Sequence, residues 1–292
     1  LEDTKRVYPN GDVGSQVVGM VDVDGKGISG LELEYDEVLK GKDGSIVFER
    51  GMNDIPITNG EMSRVETVDG TDIVTSIDIN LQKICEELLL AAIESTEAQG
   101  GSVTVMDAGN GEIYAACSYT KKSNEEREAE LAAAEKAAAA ASQAQGEGGE
   151  GQTQDLPGAL SDYKLEVGKL APVTDIYEPG STFKAFTAYS VLANNEGITP
   201  ETTYTVPYSL EVYDTVISDS HDHPYEDMTV RRILADSSNT GTTLMSREVQ
   251  TAQLYDTYRA FGFGQKTGCD FPGDTAGQLE ESKDWDGVQS AT

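Results

Sequence analysis

Ser181 and Lys184 stand three positions apart in the run Glu178-Pro179-Gly180-Ser181-Thr182-Phe183-Lys184. On a helix, residues at that spacing share a face. A serine hydroxyl is a weak nucleophile until a neighbouring base takes its proton. A lysine drawn out of water has its charged form disfavoured, so its pKa falls and it can serve as that base. At a helix start, free N–H groups and the helix dipole also favour developing negative charge. A second group, Ser237-Ser238-Asn239, places a hydroxyl and a carboxamide two apart. The serine can relay a proton and the asparagine can hydrogen-bond a substrate amide. Each group alone also has a plain reading: a helix with a surface lysine, and a polar loop that caps the next helix.

The elements that must position these residues follow from pattern and punctuation. Glu178-Pro179-Gly180 is a turn opening a helix predicted from Ser181 to about residue 193. Thr229 caps a predicted helix over 230–234. A further helix follows Asn239, and another covers 251–260 until Phe261-Gly262-Phe263-Gly264 ends it. Upstream, Asp78 reads as the N-cap of a helix from Ile79 to about residue 95. Its expected buried stripe is Leu81, Ile84, Cys85, Leu88, Ala91 and Ala92. Residues 102–107 and 112–118 read as strands joined by Ala108-Gly109-Asn110-Gly111, because Asn-Gly tolerates positive φ. Strands are also predicted over 17–21 and 73–77, a short helix over 31–39, and a turn and strand over 40–50.

Composition bounds the function. The 292 residues are enough for one large domain or two smaller ones. There are 21 Lys+Arg against 52 Asp+Glu, a net charge of −31. That balance disfavours nucleic acid and anionic lipid as partners, since both are held by clustered cations. Apolar residues make up 38%, a low share, yet they are spread widely enough for a core. No apolar run reaches the roughly 18 residues that a membrane helix needs. The sequence opens on Leu1 rather than Met, and reads as one whose beginning lies elsewhere. Cys85, Cys117 and Cys269 are odd in number and lack metal-ligand spacing. Cys85 and Cys117 are expected to be small buried hydrophobes. Residues 124–154 are low in complexity, rich first in Glu and Ala and then in Gln, Gly and Glu. Their first half favours helix and 146–154 reads as a flexible linker, so the stretch is an exposed insertion outside any site.

Together the motifs resemble the penicillin-binding protein and serine β-lactamase superfamily. The segment Glu178 to Lys184 resembles the nucleophile segment of class B penicillin-binding proteins, the monofunctional transpeptidases of division, elongation and sporulation. Other stretches agree in order. Arg6-Val7-Tyr8-Pro9, Gly27 to Glu32, Tyr35 and Leu39-Lys40-Gly41 resemble that family's N-terminal pedestal. Thr75 to Gln82 resembles the start of its transpeptidase domain, and Val105-Met106-Asp107 with Gly111-Glu112-Ile113 its first hairpin. The resemblance implies an α+β fold. A β-rich pedestal over 1–70, braced by an Arg6–Glu32 pair, precedes a transpeptidase domain over 71–292 with helices around an antiparallel sheet. It implies that Ser181 attacks the D-Ala-D-Ala carbonyl of a peptidoglycan stem peptide, Lys184 is the base, Ser237 shuttles a proton and Asn239 holds the substrate amide. It further implies acylation of Ser181 by β-lactam antibiotics, partners among other cell-wall synthesis proteins, and no cofactor or metal. An upstream membrane anchor would place the protein outside the bacterial cytoplasmic membrane.

The family also uses a Lys-Thr-Gly on the strand beside the nucleophile. Lys266-Thr267-Gly268 has that text, but Pro272-Gly273 follows it closely and suits a central strand poorly. It is read as a decoy within the segment around Phe261 to Gly264. The catalytic counterpart is then expected beyond Thr292, so the sequence reads as truncated at its C-terminal end. Ser220-His221-Asp222-His223 has metal-capable types but no third cluster, and reads as a solvated turn. Trp285 is expected to pack. Two other readings are a β-lactam sensor or D,D-carboxypeptidase of the same fold, against which the pedestal speaks, and a non-catalytic scaffold of a cell-wall complex, against which the intact Ser181, Lys184, Ser237 and Asn239 speak.

Overall fold

The computed structural model describes residues 7–48, 62–129, 132, 162–165 and 168–285. Two compact units emerge, one of residues 1–174 with 269–273 and one of 175–268 with 274–292.

The first unit begins with short helices α1 (Ser15–Val18), α2 (Gly30–Glu34) and α3 (Asp36–Leu39), then strands β1 (Ser45–Phe48) and β2 (Met62–Val65), which pair antiparallel. The main sheet consists of β3 (Gly100–Met106), β4 (Ile113–Lys121) and β5 (Tyr163–Lys164), in that order and antiparallel. The β3–β4 hairpin turns through Asn110-Gly111, with Gly111 at φ 82° as that sequence favours. Helix α4 (Ile79–Thr96) begins at the expected cap: the Asp78 carboxylate accepts the N–H groups of Asn80 and Leu81 at 2.9 and 3.1 Å.

Helix α4 lies on the sheet by a different face from the expected one. Leu89 and Ile93 are buried with Cys85 against Ala115, Cys117 and Tyr163, while Ile84 and Leu88 are 50% and 65% exposed. Burying such aliphatic side chains contributes about 1.5–3 kcal/mol each. The rotation has a polar cause. Gln82 is fully buried; its side-chain N–H donates to the Ala116 carbonyl at 2.9 Å, and its oxygen accepts the Ala116 N–H at 2.9 Å. Gln16 on α1 does the same two residues along β4, accepting the Ser118 N–H at 2.7 Å and donating to the Ser118 carbonyl at 3.1 Å. The backbone N–H and C=O groups of Ala116 and Ser118 thus point away from β3, and two carboxamides take them where a further strand would pair.

These contacts correct two sequence expectations. Residues 15–18 are helical rather than part of a strand, because one helical turn brings Gln16 to β4. Residues 73–77 form no ladder; they run past an apolar cavity of about 330 Å³ lined by Val17, Leu31, Leu170 and Phe271, and hold on through the Ser76 hydroxyl, which donates to the Ile113 carbonyl at 2.7 Å. The helix expected over 31–39 is two helices, broken at Tyr35. Cys85 and Cys117 are buried as expected, and burial pushes the Cys117 thiol up to about 12. The insertion starts as helix α5, described over 124–129, after a reciprocal cap between Ser123 and Glu126. Its remainder, the linker at 146–154 included, lies outside the described residues except for helical residue 132, and so does Arg6. The unit closes with α6 (Ala171–Thr174).

The second unit holds a 3-10 turn (Gly180–Phe183), helix α7 (Lys184–Asn194), strands β6 (Thr203–Val206), β7 (Ser209–Val212), β8 (Thr215–Ser218) and β9 (Glu226–Thr229), and helices α8 (Val230–Ala235), α9 (Asn239–Ser246) and α10 (Thr251–Ala260). Strands pair as β6–β9 and β7–β8. The core joins Ala188 and Val191 of α7 to Val206, Val230, Ile233 and Met245. The caps are local, as the sequence implies: the Thr229 hydroxyl accepts the Arg232 N–H at 3.2 Å. Helices α7 and α10 are also tied by hydroxyl pairs, Thr187 with Tyr258 and Ser190 with Thr257, each at 2.9 Å. No helix among the described residues is long and apolar enough to cross a membrane.

Candidate active site

All four candidate residues lie in the second unit, where Lys184, Ser237 and Asn239 are in contact and Ser181 stands three residues before Lys184. Gly180 takes φ 59° and turns the backbone into the short 3-10 segment that carries Ser181. Thr182 steadies this turn by donating to the Pro179 carbonyl at 2.7 Å. Ser181 is exposed, whereas Lys184, three residues on at the first position of α7, is buried. The Phe183 ring packs edge-on at 4.6 Å from Tyr258 and 4.8 Å from Phe263, an apolar wall that keeps water from this end of α7. Trp285 joins it, stacked on Tyr258 at 6.1 Å.

Lys184 reaches the turn between α8 and α9. Its ammonium donates to the Ser237 carbonyl at 2.5 Å, the Ser237 hydroxyl at 3.2 Å and the Asn239 Oδ1 at 2.6 Å. Three donors thus meet three acceptors. Ser237 adopts φ 55°, a left-handed conformation that costs a non-glycine residue about 1–2 kcal/mol. That conformation turns both its carbonyl and its hydroxyl to Lys184. Burial lowers the Lys184 pKa from its ordinary value, and the negative charge of Asp219 opposes the shift in part.

Asp219 was not visible as a site residue in the sequence. Its Oδ1 accepts the backbone N–H groups of Asn239 and Thr240 at 2.6 and 3.0 Å. Its Oδ2 accepts from the Ser238 hydroxyl at 2.7 Å and from His223 Nε2 at 3.1 Å. Burial alone would raise this carboxyl; hydrogen bonds from Thr240, Ser238, His223 and Asn239 override it and hold the pKa below the usual carboxylate range. His223 Nδ1 faces the Pro224 carbonyl at 2.7 Å. With acceptors at both ring nitrogens, the imidazolium satisfies the arrangement, and the Pro224 carbonyl and then Asp219 raise its pKa. The solvated turn expected here therefore describes His221, which is exposed, and not His223. No group of three or more metal-capable side chains occurs among the described residues.

The neighbours of Asn239 complete the frame. Its side-chain N–H donates to the Ser218 carbonyl at the end of β8 at 2.7 Å, which leaves Oδ1 facing Lys184. The Ser238 hydroxyl, the cap of α9, accepts the Gly241 N–H at 2.8 Å. A Cβ at position 241 would stand 2.8 Å from both the Ile233 side chain and the Ser238 hydroxyl, so only glycine fits. Lys266-Thr267-Gly268 lies in a loop rather than a strand, where Thr267 and Gly268 donate their N–H groups to the Asp274 carboxylate at 3.3 and 2.9 Å.

A strained serine, a buried lysine and an anchored asparagine thus meet, with an exposed serine three residues before the lysine. The penicillin binding protein transpeptidase domain matches residues 101–292, and the penicillin-binding protein dimerisation domain matches residues 1–75. The chain belongs to the penicillin-binding proteins, in their class B. It is 31% identical over 292 residues to the probable peptidoglycan D,D-transpeptidase PenA of Neisseria meningitidis, spanning all of this chain and 44% of that one. It is 30% identical to penicillin-binding protein PbpB of Mycobacterium tuberculosis, over 97% of this chain and 37% of the relative. The crystal structure of M. tuberculosis penicillin-binding protein 3 complexed with aztreonam superposes with a TM-score of 0.74 at 26% identity, over 98% of this chain and 53% of that one. The chain therefore spans less than half the length of these curated relatives.

Proposed function

We propose that the protein is a peptidoglycan D,D-transpeptidase acting through a serine acyl-enzyme. The observation that carries this reading is the Lys184 ammonium held between Ser237 and Asn239, three residues from an exposed Ser181. Lys184 in its neutral form takes the Ser181 proton as the hydroxyl oxygen bonds to the penultimate D-Ala carbonyl carbon of a stem peptide. The Ser181 N–H, at the start of the turn, faces the oxyanion that forms. The C–N bond to the terminal D-Ala then breaks, and the leaving amine receives the proton from Lys184 through the Ser237 hydroxyl. The Asn239 carboxamide holds the substrate amide. An amine of a neighbouring stem forms the new amide bond and returns Ser181 to its free form. A β-lactam ring opens by the same attack, and the aztreonam complex of the M. tuberculosis relative supports that extension. Residues 1–70 serve as the pedestal and 71–292 belong to the transpeptidase domain. The protein works outside the cytoplasmic membrane, with other cell-wall synthesis proteins.

The test is the intact mass of the protein after incubation with a penicillin. One adduct is expected, and Ser181→Ala abolishes it. A folded protein that takes up no adduct, either as it stands or continued to the length of its relatives, overturns the reading. Release of the adduct within minutes would instead assign a hydrolase.

A further inference from the structure

We propose that His223 is a positioning residue for the acyl transfer: its positive charge offsets that of Asp219 and so favours the neutral amine of Lys184. This role rests on the serine acyl-enzyme proposed above, in which Lys184 has to be neutral to take the Ser181 proton. Among the described residues, the groups that hold Lys184 are themselves uncharged: the Ser237 carbonyl, the Ser237 hydroxyl and the Asn239 carboxamide. Charge reaches the amine from behind them. Asn239 offers its Oδ1 to Lys184 at 2.6 Å and its backbone N–H to Asp219 at 2.6 Å. His223 Nε2 lies 3.1 Å from the other oxygen of the same carboxylate. The order is thus ammonium, amide, carboxylate and imidazolium. Solvent hardly reaches the last two, whose side chains are 8% and 15% exposed.

Charges so placed are weakly screened and act over several ångströms. A bare Asp219 carboxylate favours the ammonium, and its charge does oppose the effect of burial on Lys184. An imidazolium on the far side of that carboxylate removes much of this field. The carboxylate is held in place independently, by the N–H groups of Asn239 and Thr240 and the Ser238 hydroxyl. His223 therefore adjusts the charge at the site while other bonds keep its shape. The charges nearby are already paired. Glu226 also bears on the imidazole, but it is bound to Arg232 at 2.6 Å, and Arg232 to Asp236 at 3.0 Å. The Tyr208 ring stands edge-on 6.1 Å away, and the His221 ring faces the Ser220 hydroxyl at 2.9 Å.

Two substitutions separate charge from shape. His223→Arg keeps a positive charge at every working pH, and His223→Gln keeps a hydrogen-bond donor without the charge. The first readout needs no activity: the Lys184 amine is titrated in each variant through the NMR shift of its Cε. The midpoint is expected about half to one pH unit lower in His223→Arg than in His223→Gln. The second readout is the rate of penicillin acylation by intact mass, at a temperature where melting curves show each protein folded. In mildly acidic buffer the parent and His223→Arg should acylate about threefold to tenfold faster than His223→Gln. As pH rises through the raised value of His223, the parent should fall back to His223→Gln, while His223→Arg keeps its lead. Equal Lys184 midpoints in the two variants, or one ratio of parent to His223→Gln rates at every pH, overturns the role. A parent that takes up no penicillin overturns the acyl-enzyme instead, and the Lys184 midpoints still decide whether the charge at position 223 reaches the amine.

Discussion

The Asp219 carboxylate accepts the backbone N–H of Asn239 at 2.6 Å, from 20 residues away in the sequence. Through this bond and those to Thr240 and Ser238, one side chain fixes the whole turn that faces Lys184. Asp219→Asn keeps the shape but replaces an acceptor oxygen with a donor. Loss of bonds to a buried charge costs about 1.5–3 kcal/mol each. We expect a lower melting temperature and penicillin acylation slowed by at least roughly tenfold. An acylation rate equal to that of the parent would show that the turn holds its shape without Asp219.

Lys184→Met tests the base directly. The stem survives and packs, while the ammonium disappears. General base catalysis contributes about 10²–10⁴-fold, and a loss of that size in acylation rate is expected. Because burial lowers the Lys184 pKa, the parent rate should climb with pH as the amine loses its proton. A flat profile in the parent, or full activity in the variant, would remove Lys184 from the role.

The His223–Asp219 pair has a pH signature. The folded pKa of His223 is raised, so its contribution to stability is complete below its ordinary value and lost as pH rises through the raised one. Asp219 is depressed, so its contribution is present above the ordinary carboxylate value and lost as pH falls through the folded one. Glu226 adds its negative charge near His223, and the Tyr208 ring lies edge-on at 6.1 Å. The melting temperature of His223→Gln should fall below that of the parent in mildly acidic buffer and converge with it toward alkaline pH. A constant gap across that range would rule out the charge.

Gln82→Leu probes the other unit. The substitution removes both partners of Ala116 at a buried strand edge. Each orphaned backbone group costs about 1–3 kcal/mol, so the melting temperature should drop by several degrees. Hydrogen exchange at Ala116 should accelerate more than at Cys117, whose partner is on β3. Equal acceleration at both would mean that the helix, and not the carboxamide, protects the edge.

What was legible in the sequence divides from what was not along the range of the forces involved. Asp78, Thr229 and Asn110-Gly111 act on neighbours two or three residues away, so their caps and turn were legible. The family motifs fixed Ser181, Lys184, Ser237 and Asn239, and the structure places the last three within hydrogen-bonding distance. Asp219 and His223 were not legible, because nothing local marks a carboxylate whose partners lie about 20 residues downstream. The face of α4 was misread for a related reason. Periodicity counts apolar residues, whereas here a buried glutamine, bonded to Ala116 across 34 residues, decides the orientation. The strand at 73–77 failed because β-branched residues favour extended backbone without supplying a partner.

The two glutamines on β4 have a consequence for growth of the sheet. An unclaimed strand edge is a template on which any extended segment can add. Gln16 and Gln82 cap that template at Ser118 and Ala116, as a pair of single-residue strands would. Among the described residues, β3 has a neighbour on one side only. The β4 edge is therefore sealed at Ala116 and Ser118, and among the described residues β3 offers a further strand, from this molecule or another, a longer open frontier than the two-residue β5.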